Sequence, residues 1–219
     1  MSRNMEGLIL SFAFVFAMIF IATAARKIFK LSNEASRKII HVSVGNWIFF
    51  ALYYFRDWYI AIIGPLFFIA LNIISYNAKI FKAMELDDKN PGTIYYPISL
   101  TACTLLTYSH SPLLVLPYLG IVAMTWGDGL AAVFGKRWPI KTLFRNRTWG
   151  GSIAFVVVTF LASMIYLHLT ANSMNVPDMM LIAGSTAVLG MMIELVSPKN
   201  LDNLAVPIII GLLGYFVGR

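Results

Sequence analysis

Apolar residues run along this chain in long blocks, and the polar residues collect in the short gaps between them. Eight blocks can be drawn, over residues 7–25, 39–55, 58–78, 93–109, 112–134, 150–170, 177–197 and 204–218. An α-helix needs roughly 20 residues to cross the hydrocarbon core of a bilayer. Most blocks reach that length; the second, fourth and last are short, and are expected to tilt, re-enter or extend into their flanks. Helices satisfy their own backbone in lipid, so the pattern predicts an all-α, polytopic integral membrane protein with about eight transmembrane helices, seven being the alternative count. Pro65, Pro97, Pro117 and Pro207 fall inside or at the ends of blocks, where bilayer helices tolerate them. No linker or internal repeat interrupts the pattern, so residues 1–219 are expected to form one membrane-embedded domain.

Composition agrees. Of 219 residues, 59% are hydrophobic and 12% charged, against about 25% charged in an ordinary soluble domain. A soluble core would leave too little polar sequence to coat its helices. The net charge of +7 does not indicate nucleic acid, because the cations sit in the gaps between blocks, where the positive-inside bias accounts for them. All 17 lysines and arginines except Arg3, Arg56 and Arg219 fall in alternate gaps: Arg26, Lys27, Lys30, Arg37 and Lys38; Lys79, Lys82 and Lys89; Lys136, Arg137, Lys141, Arg145 and Arg147; and Lys199. These gaps are expected to face the cytoplasm with both termini outside, in the plasma membrane if the host is prokaryotic. A first span retained after Arg3 is expected, since no small-residue cleavage site precedes Arg26. The single Cys103, inside a block, excludes a disulfide framework and a thiol metal site.

The residues suited to chemistry crowd onto that same side. A transporter would need polar groups near mid-span, and Asn46, Asn72 and Glu194 are few. Asp128 stands between Gly127 and Gly129 inside a block, where a carboxylate costs roughly 2.5–3.5 kcal/mol unless it meets a cavity or a partner. It reads as a magnesium ligand for bound phosphates or as a structural ion pair with Arg147 or Lys136. The basic connection after it holds five cations and ends in Thr148, Gly150, Gly151 and Ser152. This combination suits a polyphosphate, with amides and hydroxyls at the start of the next span, or simply anionic lipid heads. No Walker A pattern occurs.

Glu194 lies near the inner end of the seventh block, and Ser197-Pro198 should end that helix. Asp202 and Asn203 then open the last block. The two acids could converge on one divalent cation with Asn203 nearby; Asp202 or Asn203 could instead cap a helix. Arg37, Lys38 and His41 share roughly one helical face at the opening of the second block. His41 could act as base, phosphate donor or hydrogen-bonded structural residue. Asp87, Asp88 and Asn90 form a turn delivering Tyr95 and Tyr96, which are expected to anchor at the membrane interface.

These segments together resemble the CTP-dependent lipid alcohol kinases, which include dolichol, phytol and CTP-dependent diacylglycerol kinases, and more distantly phosphatidate cytidylyltransferase. Arg37-Lys38-Ile39-Ile40-His41 is similar to an early family motif, and Gly92-Thr93-Ile94-Tyr95-Tyr96-Pro97 to a second. Gly127-Asp128-Gly129 through Gly135 resembles a third, with Gly129 where alanine is common. Glu194 through Pro198, then Leu201-Asp202-Asn203-Leu204 and Val206-Pro207, form the most specific match. One departure stands out. Where the family commonly places Lys-(Ser/Thr)-x-Glu-Gly-Ser, this chain has Arg147-Thr148-Trp149-Gly150-Gly151-Ser152, so Gly150 removes a carboxylate.

The resemblance implies transfer of the γ-phosphate of CTP to a membrane lipid alcohol, such as a polyprenol, dolichol, phytol or geranylgeraniol. It implies Mg2+ held by Asp128, Glu194 and Asp202. Arg37, Lys38, Lys141, Arg147, Thr148, Gly151, Ser152 and Asn203 would bind the nucleotide, and His41 or an acid would activate the hydroxyl. The expected partners are the lipid alcohol, a nucleoside triphosphate and the bilayer. A phosphatidate cytidylyltransferase-like activity, a diacylglycerol kinase and a small-solute transporter are the alternatives.

Overall fold

The computed structural model describes residues 2–78, 91–110, 114–138, 140–144, 147–198 and 200–219, with the backbone alone at 76–78. The turn holding Asp87, Asp88 and Asn90, together with Arg145 and Lys199, lies outside the described residues. Helix α1 (Arg3–Phe29) starts at Ser2, whose hydroxyl accepts from the Met5 N–H at 3.4 Å, and closes at Lys30 in the left-handed conformation. Helices α2 (Asn33–Gly45) and α3 (Trp47–Tyr54) form one apolar block broken at Asn46. The Asn46 amide donates to the Val42 carbonyl at 2.8 Å, and its oxygen accepts from the Trp126 indole at 3.2 Å. This mid-block polar residue therefore ties two segments together.

Helices α4 (Trp58–Ala61), α5 (Ile63–Ala78) and α6 (Gly92–Thr107) follow. A 3-10 turn at Leu116–Tyr118 leads into α7 (Leu119–Val122), a π-helical stretch at Ala123–Asp128, and α8 (Gly129–Arg137). A two-stranded antiparallel ribbon, β1 (Thr142–Phe144) with β2 (Arg147–Thr148), is the one addition to an otherwise helical fold among the described residues. Helices α9 (Trp149–Thr170), α10 (Val176–Val196) and α11 (Asp202–Gly218) complete the chain.

Among the described residues five helical segments are long and apolar enough to cross a membrane: Arg3–Phe29, Trp58–Ser75, Leu116–Arg137, Trp149–Thr170 and Val176–Val196. The other three apolar blocks, α2 with α3, α6 and α11, are the ones expected to be short. The segment Leu116–Arg137 is the hub, with 67% of its most apolar window buried against 17% for α1. It is enclosed by α9, α10 and α11, with α2 against its inner half and α6 against its start. Elsewhere apolar residues face outward. On α9 Ile153, Val157, Leu161, Ile165 and Leu169 are all exposed, a stripe at every fourth position that suits lipid. Small polar residues such as Ser99, Thr104, Thr159 and Ser163 are buried instead, as expected where membrane helices approach closely.

Tyr96 departs from its expected place at the interface. It is buried, its hydroxyl lies 2.7 Å from Thr125 Oγ1, and its ring packs on His41 with centroids 4.1 Å apart. An internal partner outweighs interfacial anchoring.

The two ends of the bundle differ in character. At one end Asn4 donates to Asp57 at 2.6 Å, Arg3 sits over the Tyr53 ring, Tyr108 donates to the Ala51 carbonyl, and His110 packs on Tyr215. The ion pairs Lys38–Asp128, Lys136–Glu34, Arg147–Glu194 and Arg147–Asp202 gather at the other end.

Candidate active site

The hub supplies the first acid. Asp128 ends the π-helical stretch, with Gly127 and Gly129 on either side. A Cβ at Gly127 would strike Thr159 of α9, and one at Gly129 would strike Val42 of α2. The two glycines thus let both helices close on Asp128, as their lack of a side chain permits. Turns of π type recur at functional sites because they displace one backbone carbonyl from the ladder. Here the Met124 carbonyl accepts from His41 Nε2 at 3.2 Å. Nε2 therefore carries the proton, and in the neutral ring Nδ1 keeps its lone pair.

Glu194 comes from the last turn of α10 and Asp202 from the first turn of α11, on either side of a turn in which Asn200 is left-handed. Asp128, Glu194 and Asp202 are 6%, 3% and 5% exposed, and a carboxylate oxygen from each lies within 4.8 Å of the others. Three acids so close need cations. Lys38, from α2, pairs with Asp128 Oδ2 and also donates to the Asp128 carbonyl at 3.2 Å. Arg147, from β2, bridges the other two: Nη1 lies 2.7 Å from Glu194 Oε1 and Nη2 2.5 Å from Asp202 Oδ2. Burial works against the Arg147 charge, but Glu194 and Asp202 outweigh it and raise the guanidinium above its ordinary range.

A cavity of about 530 Å3 opens on this cluster, within the 300–1,000 Å3 of small-molecule sites. Arg37, Lys38, Lys136, Arg147, Ser152 and Asn203 line it with the three acids. Asp202 Oδ1 accepts from the Asn203 backbone N–H at 3.0 Å, while Asp128 Oδ1 and Glu194 Oε2 take no protein hydrogen bond among the described residues. Clustered carboxylate oxygens with free lone pairs suit a hard divalent cation such as Mg2+. Asp128, Glu194 and Asp202 are the residues that would hold it.

Several expected roles change with the geometry. The structural partner of Asp128 is Lys38, and Lys136 pairs with Glu34 at 2.5 Å instead. Thr148 caps α9 by accepting from the Gly151 N–H at 3.2 Å, so that amide is engaged and not open to a phosphate. Lys141 is exposed beside the ribbon and does not line the cavity. Asp202 is not the N-cap of α11; Leu201 holds that position. Gly150 packs so tightly that a Cβ would run into the Trp138 carbonyl. The backbone of the ribbon's approach fills the space that a side chain there would need. Glu34, Tyr96 and Thr125 were not singled out as site residues. Glu34 carried a signal, an acid one turn before Arg37 and Lys38, and Tyr96 stands in the second motif, while nothing in the sequence marks Thr125.

No family model and no solved structure matches the chain. Curated relatives do. A phytol kinase of Synechocystis sp. is 27% identical over 179 residues, covering 80% of this chain and 76% of that protein. A probable chloroplastic phytol kinase 2 of Oryza sativa subsp. japonica is 24% identical over 89% of this chain and 69% of its own length. A chloroplastic farnesol kinase of Arabidopsis thaliana is 29% identical over 89 residues, 40% of this chain and 28% of that one. The chain is thus similar, over most of its length, to lipid alcohol kinases, and the acids and cations of three of its four motifs line one cavity.

Proposed function

We propose that this protein transfers the γ-phosphate of CTP to the hydroxyl of an isoprenoid lipid alcohol, of the phytol, farnesol or longer polyprenol type, at the cytoplasmic face of the membrane. One observation carries the reading: buried acids from three helices meet beside Lys38 and Arg147 on one cavity. A merely structural ion-pair network has no need of a cavity of that size. CTP as donor follows from the motif resemblance, and the alcohol class from the names of the relatives.

In this reading the triphosphate lies in the cavity with Arg37, Lys38 and Arg147 on its phosphate oxygens, offsetting charge as transfer proceeds. Asp128, Glu194 and Asp202 would hold Mg2+, which when bound would supply charge neutralisation on the phosphates. His41 takes the hydroxyl proton on Nδ1, since Nε2–H is held by the Met124 carbonyl. The alcohol oxygen bonds to the γ-phosphorus as the bond from that phosphorus to the β–γ bridging oxygen breaks, and CDP leaves. The alcohol's chain stays in hydrocarbon while the nucleotide comes and goes through water.

The test is an assay of purified protein with labelled CTP, ATP and UTP against phytol, farnesol, a polyprenol and diacylglycerol, reading the lipid and nucleotide products together. The expected result is phosphorylated isoprenoid and CDP in equal amounts, abolished by chelation and restored by Mg2+. Release of pyrophosphate would mark nucleotidyl transfer and reject the proposal, as would absence of a phosphorylated lipid with every nucleotide.

A further inference from the structure

A second cavity adjoins the first, and its walls are of the opposite kind. It measures about 90 Å3 and lies between α1, α2, α5 and α6, walled by apolar side chains such as Phe12, Val15, Ile40, Phe68 and Leu100. Arg37 and Asn203 line both cavities, and His41 lines this one. Arg37 is thus a cation on the boundary, and it forms no ion pair with a described carboxylate. Its Nε is buried without a partner.

The cavity is a slot rather than a chamber. Its α1 wall runs from Ser11 to Ile19, about 12 Å of helix. By comparison, an apolar cavity of about 150 Å3 takes up one benzene. Gly64 is part of the wall; it is buried, yet a Cβ built on it meets nothing within 4 Å. The missing side chain therefore belongs to the open space. Beside the slot, Phe12 and Phe68 of the wall pack on Phe16 and Phe67, which are exposed on the lipid-facing surface. Rings thus run without a break from the bilayer to the slot.

We infer that this slot is the acceptor subsite, taking the isoprene unit next to the hydroxyl of a single-chain prenyl alcohol and delivering that hydroxyl between His41 and Arg37, while the rest of the chain stays in the bilayer. The inference rests on the phosphoryl transfer proposed above. A slot this narrow admits one chain, so diacylglycerol, whose two chains part at the glycerol, does not enter. A slot this short reads the branching near the hydroxyl and not the total length. The enzyme accordingly favours prenyl over linear alcohols and accepts geraniol, farnesol and geranylgeraniol alike.

The test measures KM as mole fraction in mixed micelles for those three prenols and for linear alcohols of matching length, with wild type, Gly64→Ala and Gly64→Leu. Expected are prenol KM values within about threefold of one another, and a lower KM for prenols than for linear alcohols. Gly64→Leu should raise the prenol KM at least tenfold and Gly64→Ala less, with the nucleotide KM unchanged in both. A photoreactive geraniol should label peptides of α1, α5 or α6 in wild type and lose that labelling in Gly64→Leu, a readout independent of turnover. Steady improvement of KM with each added isoprene unit would overturn the inference. So would unchanged prenol KM in both variants, or labelling confined to the outer face of α9. Wild-type protein that phosphorylates no alcohol would defeat the underlying kinase reading instead, whatever the photolabel shows.

Discussion

Asp128 serves two neighbours, and the two can be separated. Its carboxylate and its carbonyl both receive the Lys38 ammonium, while the same carboxylate stands within reach of Glu194 and Asp202. Asp128→Asn strands a largely buried lysine, which should cost roughly 3 kcal/mol. It should also lower turnover about 100-fold or more, the usual cost of losing a preorganised electrostatic group. The double variant Lys38→Met with Asp128→Asn removes the stranded charge. It should recover most of the melting temperature in detergent and none of the turnover. Recovered turnover in the double variant would make Asp128 a structural partner only. At this scale the acids were legible because a carboxylate inside an apolar block needs a reason to be there. Lys38 as the partner of Asp128 was not, since 90 residues separate them and nothing local signals the pairing. The Tyr96–Thr125 hydrogen bond was hidden for the same reason, and without it a tyrosine near a block's end reads as an interfacial anchor.

The helices were legible as apolar blocks, and the irregularities between them were not. The π-helical stretch carries no pattern that marks it in the sequence; in the fold it lies where α2 and α9 close on the glycines beside Asp128. The break at Asn46 likewise has a partner far away in sequence, the Trp126 indole. The ribbon was masked by its cations, which made the whole connection look like one anion-binding loop. Its pairing instead presents Arg147 to α10 and α11 and leaves Lys141 exposed. The tight entry to α9 makes a prediction at this scale. The Trp149 N–H is held by the Ile140 and Lys141 carbonyls, and the next residue, Gly150, lies against the Trp138 carbonyl. Gly150→Ala should therefore destabilise the protein by about 1–3 kcal/mol, the usual cost of overpacking, read as a lower melting temperature. Gly150→Glu, which writes back the carboxylate of the related motif, should lower both stability and turnover. A gain in turnover would show that the three acids present do not cover that role.

At the scale of the whole bundle, the alternation of basic gaps predicted two chemically different ends, and the packing agrees. The contacts among residues 3–4, 53–57, 108–110 and 215 tie one end together, while Lys38, Asp128, Arg147, Glu194 and Asp202 meet at the other. By the positive-inside bias the second end is expected to face the cytoplasm, where a nucleotide would be found. The chain's own cysteine content allows this to be tested cleanly. Cys103 is its single cysteine and is fully buried, with its thiol directed at the Pro207 carbonyl, so it should stay silent toward a membrane-impermeant maleimide. Lys141→Cys, exposed at the ribbon, and His110→Cys, at the opposite end, each add one reporter outside the proposed site. In intact cells His110→Cys should label and Lys141→Cys should not; permeabilisation should expose Lys141→Cys. Labelling of Lys141→Cys in intact cells would put the carboxylate cluster on the wrong face for a cytosolic nucleotide. Equal labelling of both reporters in intact cells would place the ribbon and residue 110 on one side and contradict the two-ended bundle itself.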